Sequence, residues 1–196
     1  MSFKIFSTKV TVSFLFMAVL SLMLLSDKTG YALLMICSAT IHEAGHFLAM
    51  LICKCKPTEI KLIPGSVQIC APPVRLKHET FILICGPLVN FFIFVLFFVL
   101  SSLCDSIKLM EFSLINLLYF AFNILPFSGL DGGSILYNLI LKKKGDKTAE
   151  KTLNLLTILS AVAALLVFIL SALRGNVNYS VCILGCYLIL SVFLKF

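Results

Sequence analysis

The heptapeptide IHEAGHF, residues 41–47, lies within an apolar run of 23 residues that extends from Tyr31 to Cys53. As a single helix this run is about 34 Å long, which is enough to cross a lipid bilayer. One carboxylate and two imidazoles therefore lie at membrane depth. Such side chains are costly in lipid and usually have a function there.

The spacing of these polar residues is typical of a metal site. On a helix, His42 and His46 are one turn apart on the same face, so both imidazoles can reach one ion, whereas Glu43 points to the side. This is the H-E-x-x-H zinc arrangement, in which the glutamate is the candidate general base. The pattern also occurs by chance on solvated helices, but the membrane setting, and the placing of two of the three histidines here, favour zinc.

The composition indicates an integral membrane protein. Of the 196 residues, 60% are hydrophobic and 13% are charged, compared with about 25% charged residues in soluble domains. The mean hydropathy is +1.08. The net charge of +7 comes from basic residues in the loops between apolar runs, so membrane topology explains it and no nucleic-acid partner is expected. The eight cysteines lack metal-site spacing, and most are expected to be reduced structural thiols.

The expected fold is all-α and polytopic, with one transmembrane domain over residues 1–196 and about six spans. These are expected at residues 10–25, 31–53, 80–104, 112–141, 153–173 and 177–194. The fourth run has 30 residues and contains Asn123, Pro126 and Asp131 together with three glycines. A helix that breaks midway fits this segment better than a straight one, and irregular backbone at membrane depth must be buried in protein or line a wet cavity.

A short membrane-associated β-hairpin is expected between the second and third spans. Residues 58–62 and 67–69 alternate polar and apolar side chains, and Pro64-Gly65-Ser66 between them is typical of a turn. An amphipathic loop that rests on the lipid headgroups is the alternative.

The distribution of positive charge predicts the topology and a third metal ligand. With six spans, 13 of the 16 Lys and Arg residues lie on the side of both termini, which is therefore predicted to be cytoplasmic. The second and fourth spans then run in the same direction. His42, His46 and Asp131 all lie roughly 10 to 16 Å from the cytoplasmic ends of these spans. Asp131 is accordingly the favoured third ligand, which leaves a fourth zinc position open for water.

These motifs resemble the site-2 protease family of intramembrane zinc metalloproteases. The matching elements are HEAGH at residues 42–46, Gly86-Pro87 with Asn90, and the segments NILP at 123–126 and LDG at 130–132. The resemblance implies that His42, His46 and Asp131 bind one Zn2+ ion per chain and that Glu43 is catalytic. It also implies that Asn123 and Asn90 position the substrate or stabilise the oxyanion.

The layout is similar to a minimal core of the bacterial sporulation-type branch, without a PDZ or CBS domain. The expected function is hydrolysis of a peptide bond in or near the transmembrane segment of a membrane protein, with Glu43 activating a water on zinc. The expected partners are a single-span substrate and the lipid bilayer, and the expected location is the bacterial plasma membrane; a regulatory membrane protein is left open. A metal transporter and an inactive escort protein are the alternatives, since intramembrane ionisable residues also mark ion pathways.

Overall fold

The computed structural model describes residues 2–5, 8–63 and 66–173, so the expected sixth span at 177–194 lies outside the described residues. Within them the chain is mostly helical, with one small sheet. In chain order the elements are β1 (Ser2–Ile5), β2 (Thr8–Val12), α1 (Phe14–Ser26), α2 (Tyr31–Ile52), β3 (Glu59–Ile63), β4 (Ser66–Cys70), α3 (Leu76–Cys104), α4 (Ile107–Asn123), α5 (Asp131–Lys144) and α6 (Asp146–Leu173). Contacts divide the chain into two units, Met1–Phe120 and Ala121–Phe196.

Three helices of the described residues are long and apolar enough to cross a membrane. They cover Tyr31–Ile52, Leu76–Cys104 and Asp146–Ser171. Their large apolar side chains are mostly exposed, whereas the largest fully buried side chains include two asparagines, a threonine and two serines. An apolar exterior around a polar interior is the arrangement that suits lipid as the solvent. The chain is an integral membrane protein.

The six expected spans are not all confirmed. Helices α2 and α3 cover the second and third spans, although α3 begins at Leu76 and not at residue 80. The fourth is broken midway as expected, into α4 and α5, with residues 124–130 between them. The fifth is contained in α6. The first is shorter than expected, because residues 8–12 form a strand and the 13-residue helix α1 begins only at Phe14.

The expected hairpin corresponds to strands β3 and β4, but these two strands are part of a four-stranded sheet that was not expected. Strands β3 and β4 are antiparallel, with Ile60 opposite Ile69, but β3 also pairs in parallel with β2, and β2 pairs with β1. The N-terminal strands were missed because the apolar run after residue 10 was assigned to a span. The alternating, β-branched sequence of residues 8–12 favours a strand. Lys9 and Thr11 both contact the Glu59 carboxylate across the β2–β3 pair.

A polar turn sets the start of α2. The Asp27 carboxylate accepts hydrogen bonds from the hydroxyl and backbone N–H of Thr29, which lower the pKa of Asp27 to about 2. Its second oxygen accepts a hydrogen bond of 2.7 Å from the backbone N–H of Ala32, in the first turn of the helix. A carboxylate at this position satisfies a donor that the helix itself leaves unpaired.

Helices α2 and α3 pack closely where the metal motif lies. A Cβ at Gly45 would stand 2.8 Å from the carbonyl oxygen of Cys85, so only glycine permits this approach of the two backbones. The buried positions of α2 follow the helical repeat and include Ser38, His42, Gly45 and Ala49. The face of α2 that carries both histidines is therefore turned towards α3.

In the second unit, α5 packs against the segment that precedes it. A Cβ at Gly132 would overlap the carbonyl of Ile124, and one at Gly133 would overlap the carbonyl of Phe127. The backbone N–H of Ser128 donates a hydrogen bond of 3.0 Å to the hydroxyl of Thr157 on α6. The non-helical segment 124–130 is thus held by contacts with both helices that follow it.

Candidate metal centre

The two histidines of the motif are buried side by side on α2. His42 is 5% exposed and His46 is 9% exposed, and their Nε2 atoms are 3.1 Å apart. Two Zn–N bonds of about 2.0 to 2.1 Å that meet at a tetrahedral angle place their nitrogens about 3.3 Å apart. The observed separation of the two nitrogens fits a shared zinc ion. The helical spacing of four residues, which the sequence predicted, brings them together.

The other ring nitrogen of His46 is engaged by α3. Its Nδ1 donates to the backbone carbonyl of Ile82 over 2.9 Å. Since a carbonyl can only accept, Nδ1 carries the proton and the basic nitrogen of His46 is Nε2. A Cβ at Gly86 would overlap the imidazole of His46, so this glycine makes room for the ring. Helix α3 thereby fixes both the position and the tautomer of His46.

The second ring nitrogen of His42 is engaged by an asparagine of α3. His42 Nδ1 lies 2.9 Å from Oδ1 of Asn90, which is fully buried. The Nδ2 group of Asn90 donates to the backbone carbonyl of Ser38 at 3.1 Å and to Oδ1 of Asn116 at 2.9 Å. Asn116, also fully buried, donates in turn to the carbonyl of Phe112. Partners of this kind orient metal-binding histidines in many proteins.

Glu43 is half-buried and lies on a different side of α2 from the two histidines. The ring centroid of Tyr119, on α4, is 6.1 Å from that of His42, the residue that precedes Glu43. A phenol therefore lies close to His42, one of the candidate metal ligands. Tyr119 was not predicted from the sequence.

The remaining predicted residues, Asp131 and Asn123, lie in the second unit. Asp131 is the first residue of α5 and is half-buried, and Asn123 is the last residue of α4. Gly132 and Gly133 make close contacts with segment 124–127, and these contacts fix the position of Asp131 relative to that segment. His42 and His46 belong to the first unit and Asp131 to the second, and each of the three side chains is of a type that binds zinc. Two imidazoles and one carboxylate are a donor set of catalytic zinc sites.

Two groups near the histidines were missed from the sequence: the Ile82 carbonyl, which contacts His46, and Asn116, which contacts Asn90. A backbone carbonyl such as that of Ile82 leaves no sequence signal. Asn116 did leave one, since an amide inside an apolar helix needs a partner and Asn116 is seven residues, or two turns, before Asn123 on the same helix face.

A curated protein and a solved structure are similar to this chain. No family profile matches the chain. It is 30% identical over 135 residues to a zinc metalloprotease of Methanocaldococcus jannaschii, an alignment that covers 65% of this chain and 40% of that relative. It also resembles the solved structure of a site-2 protease from Methanocaldococcus jannaschii, with a TM-score of 0.68 and 27% identity, covering 98% of this chain and 92% of that one.

These similarities confirm the resemblance to the site-2 protease family and support a zinc-dependent membrane metalloprotease. The chain spans about 40% of the length of the curated relative that it matches.

Proposed function

We propose, on the premise of its site-2 protease homology, that this chain is an intramembrane zinc metalloprotease. His42, His46 and Asp131 would hold one zinc ion, and the protein would hydrolyse a peptide bond in or near the transmembrane segment of a membrane protein. The observation that carries the proposal is the pair of Nε2 atoms 3.1 Å apart, each on a ring whose Nδ1 is already hydrogen-bonded. Two imidazoles held in this way, beside a glutamate, suit a hydrolytic zinc site.

In the proposed mechanism Glu43 moves the proton. Zinc, when bound, lowers the pKa of a coordinated water towards about 7 and polarises the scissile carbonyl. The Glu43 carboxylate accepts the proton that the attacking water loses, and then returns it to the amine that leaves. Its position one residue after His42, off the face of the ligands, is what this role requires. Asn90 contacts His42, Ser38 and Asn116, so Asn123 is the better candidate for contact with substrate.

The substrate class follows from the location of the site. A transmembrane segment enters as a helix, and its peptide carbonyls take part in helical hydrogen bonds, so the segment must unwind before attack. Among the described residues β4 is an outer strand of the sheet, and an extended segment could add to it by backbone pairing. A single-span protein that becomes locally extended is therefore the proposed substrate.

The test compares the intact chain with Glu43→Gln, co-expressed with a panel of single-span membrane proteins. The amide keeps the size of the side chain but cannot accept the proton. We expect Glu43→Gln to retain zinc and to lose cleavage by about 10²- to 10⁴-fold, the usual contribution of a general base. Metal content and the amount of protein in the membrane are measured on the same samples.

Glu79→Gln is the matched control, because it makes the same chemical change in the first turn of α3. It should cleave at the unchanged rate. A Glu43→Gln variant that cleaves as fast as the intact chain would refute the proposal. Zinc movement across vesicles that survives Glu43→Gln, without any cleavage, would favour a transporter instead.

A further inference from the structure

We propose that Asn116 is a positioning residue for the metal centre, which acts on His42 through Asn90. The inference rests on the proposed zinc site. It assigns to α4 a part in setting the affinity of that site for zinc, although Asn116 contacts neither histidine in the described hydrogen bonds. The relay runs from the Phe112 carbonyl through Asn116 and Asn90 to His42.

The carbonyl of Ser38 and the side chain of Asn116 fix the orientation of the Asn90 amide. Its two N–H bonds point to the carbonyl of Ser38 and to Oδ1 of Asn116, and both of these atoms can only accept. If the amide turned over, Oδ1 would face two acceptors and Nδ2 would face His42. Asn116 and Ser38 together therefore hold Oδ1 of Asn90 against the imidazole.

The Asn116 amide is also held in one orientation, by a contact with its own helix. Its Nδ2 donates to the Phe112 carbonyl of its own helix over 2.9 Å, which leaves Oδ1 directed at Asn90. Asn90 and Asn116 are both 0% exposed, so water does not replace either contact. A buried amide that loses its hydrogen-bond partner destabilises the fold, because its polar atoms are left unsatisfied. The orientation of Asn116 therefore determines the orientation of Asn90.

The orientation of the Asn90 amide selects one tautomer of His42. Because Oδ1 of Asn90 is an acceptor, it selects the imidazole that carries its proton on Nδ1 and its lone pair on Nε2. Nε2 is the atom that lies 3.1 Å from Nε2 of His46. The amide relay thus presents the nitrogen required for the metal before the metal binds, and three helices, α2, α3 and α4, share in this arrangement.

The experiment uses the full chain in detergent and the variants Asn116→Leu and Asn116→Asp. Leucine removes the acceptor at similar size. A buried, protonated aspartic acid keeps one donor and one acceptor, so it can restore the relay. Ser113→Ala is the matched control: Ser113 is also 0% exposed on α4, and its hydroxyl contacts the Met110 sulfur and not the relay.

Two readouts are measured, neither of which is proteolysis. Zinc affinity, by competition with a chelator, should fall about 10- to 100-fold in Asn116→Leu, as is typical when a partner of a metal-binding histidine is lost. It should stay within about threefold of the intact chain in Asn116→Asp and Ser113→Ala. In metal-free protein labelled with ¹⁵N-histidine, neutral His42 should show the Nδ1–H tautomer in the intact chain and a mixture in Asn116→Leu.

Unchanged zinc affinity in Asn116→Leu, or an Nε2–H tautomer of His42 in the intact metal-free chain, would overturn the inference. The tautomer measurement on the intact chain decides the matter even if Asn116→Leu does not fold. It also separates the two proposals, because the Nδ1–H tautomer in a protein that binds no zinc would support the orientation of His42 by the relay and refute the proposed zinc site.

Discussion

At the scale of single residues, the glycine at position 86 determines where an imidazole can lie. A Cβ there would overlap the ring of His46, and the buried ring cannot move without losing its hydrogen bond of 2.9 Å to the Ile82 carbonyl. We therefore expect Gly86→Ala to weaken zinc binding about 10- to 100-fold, since it disturbs the ligand and its partner together. Zinc affinity of the purified variant is the measurement.

Cys85→Ala is the control for this prediction, because it changes the adjacent side chain of the same helix and leaves the space beside His46 intact. It should bind zinc like the intact chain. Equal zinc affinity in Gly86→Ala and Cys85→Ala would show that the space at residue 86 does not position the ligand.

The residues of the metal motif could be predicted from sequence because their spacing is local. A helix by itself places His42 and His46 on one face, so the H-E-x-x-H pattern contains the geometry. The partners of the ring nitrogens could not be predicted, since they depend on the register of α2 against α3. Asn90 was expected near the substrate, and its contacts with His42 appear only when the two helices are packed.

At the scale of elements, the outer strand β4 is the proposed place for substrate pairing. In an antiparallel pair, successive backbone N–H groups point alternately to the partner strand and outward. One of Gln68 and Ile69 therefore offers a donor on the outer edge. We expect proline at that one position to lower cleavage of a single-span substrate about fivefold, the value of one net hydrogen bond, with zinc content unchanged.

Gln68→Pro and Ile69→Pro are controls for each other, because only one of the two residues has its backbone N–H on the outer edge of β4. Proline at the residue whose N–H points to β3 removes a hydrogen bond within the sheet and should lower the melting temperature of the protein. Proline at Ile60 should be worse, because β3 is paired on both sides and an interior strand does not tolerate proline. Full cleavage by both β4 variants would exclude edge pairing.

The sequence allowed the broken fourth helix to be predicted but not the two N-terminal strands. The break between α4 and α5 was predictable because Pro126 and the glycines interrupt an apolar run. The strands β1 and β2 were not, because β2 leads directly into the apolar helix α1 and its pairing partner β3 is about 50 residues away. Long-range pairing of this kind leaves only a weak local signal.

At the scale of the whole molecule, the distribution of basic residues predicts the topology of the chain in the membrane. The loop around Gly145 lies within the lysine-rich segment 142–151, whereas the turn around Asp105 has Lys108 as its nearest basic residue. By the positive-inside rule, the first should face the cytoplasm and the second the opposite side. We propose this orientation for the protein in a bacterial plasma membrane.

Short epitopes inserted after Asp105 and after Gly145 in the full chain test this orientation. In intact spheroplasts a protease added outside should remove the first epitope and spare the second, and permeabilised cells should lose both. Each insertion controls for the other, because both lie at exposed positions between helices. Removal of the epitope at Gly145 from intact spheroplasts would contradict the predicted topology.

The central claim is that His42, His46 and Asp131 hold one zinc ion, and the metal content of the purified full chain tests it most directly. Mass-spectrometric metal analysis after exposure to zinc and removal of the excess should find about one zinc ion per intact chain, as in catalytic sites of this donor set. Asp131→Ala should retain far less. An intact chain without bound zinc, or an Asp131→Ala variant with an undiminished content, would contradict the account.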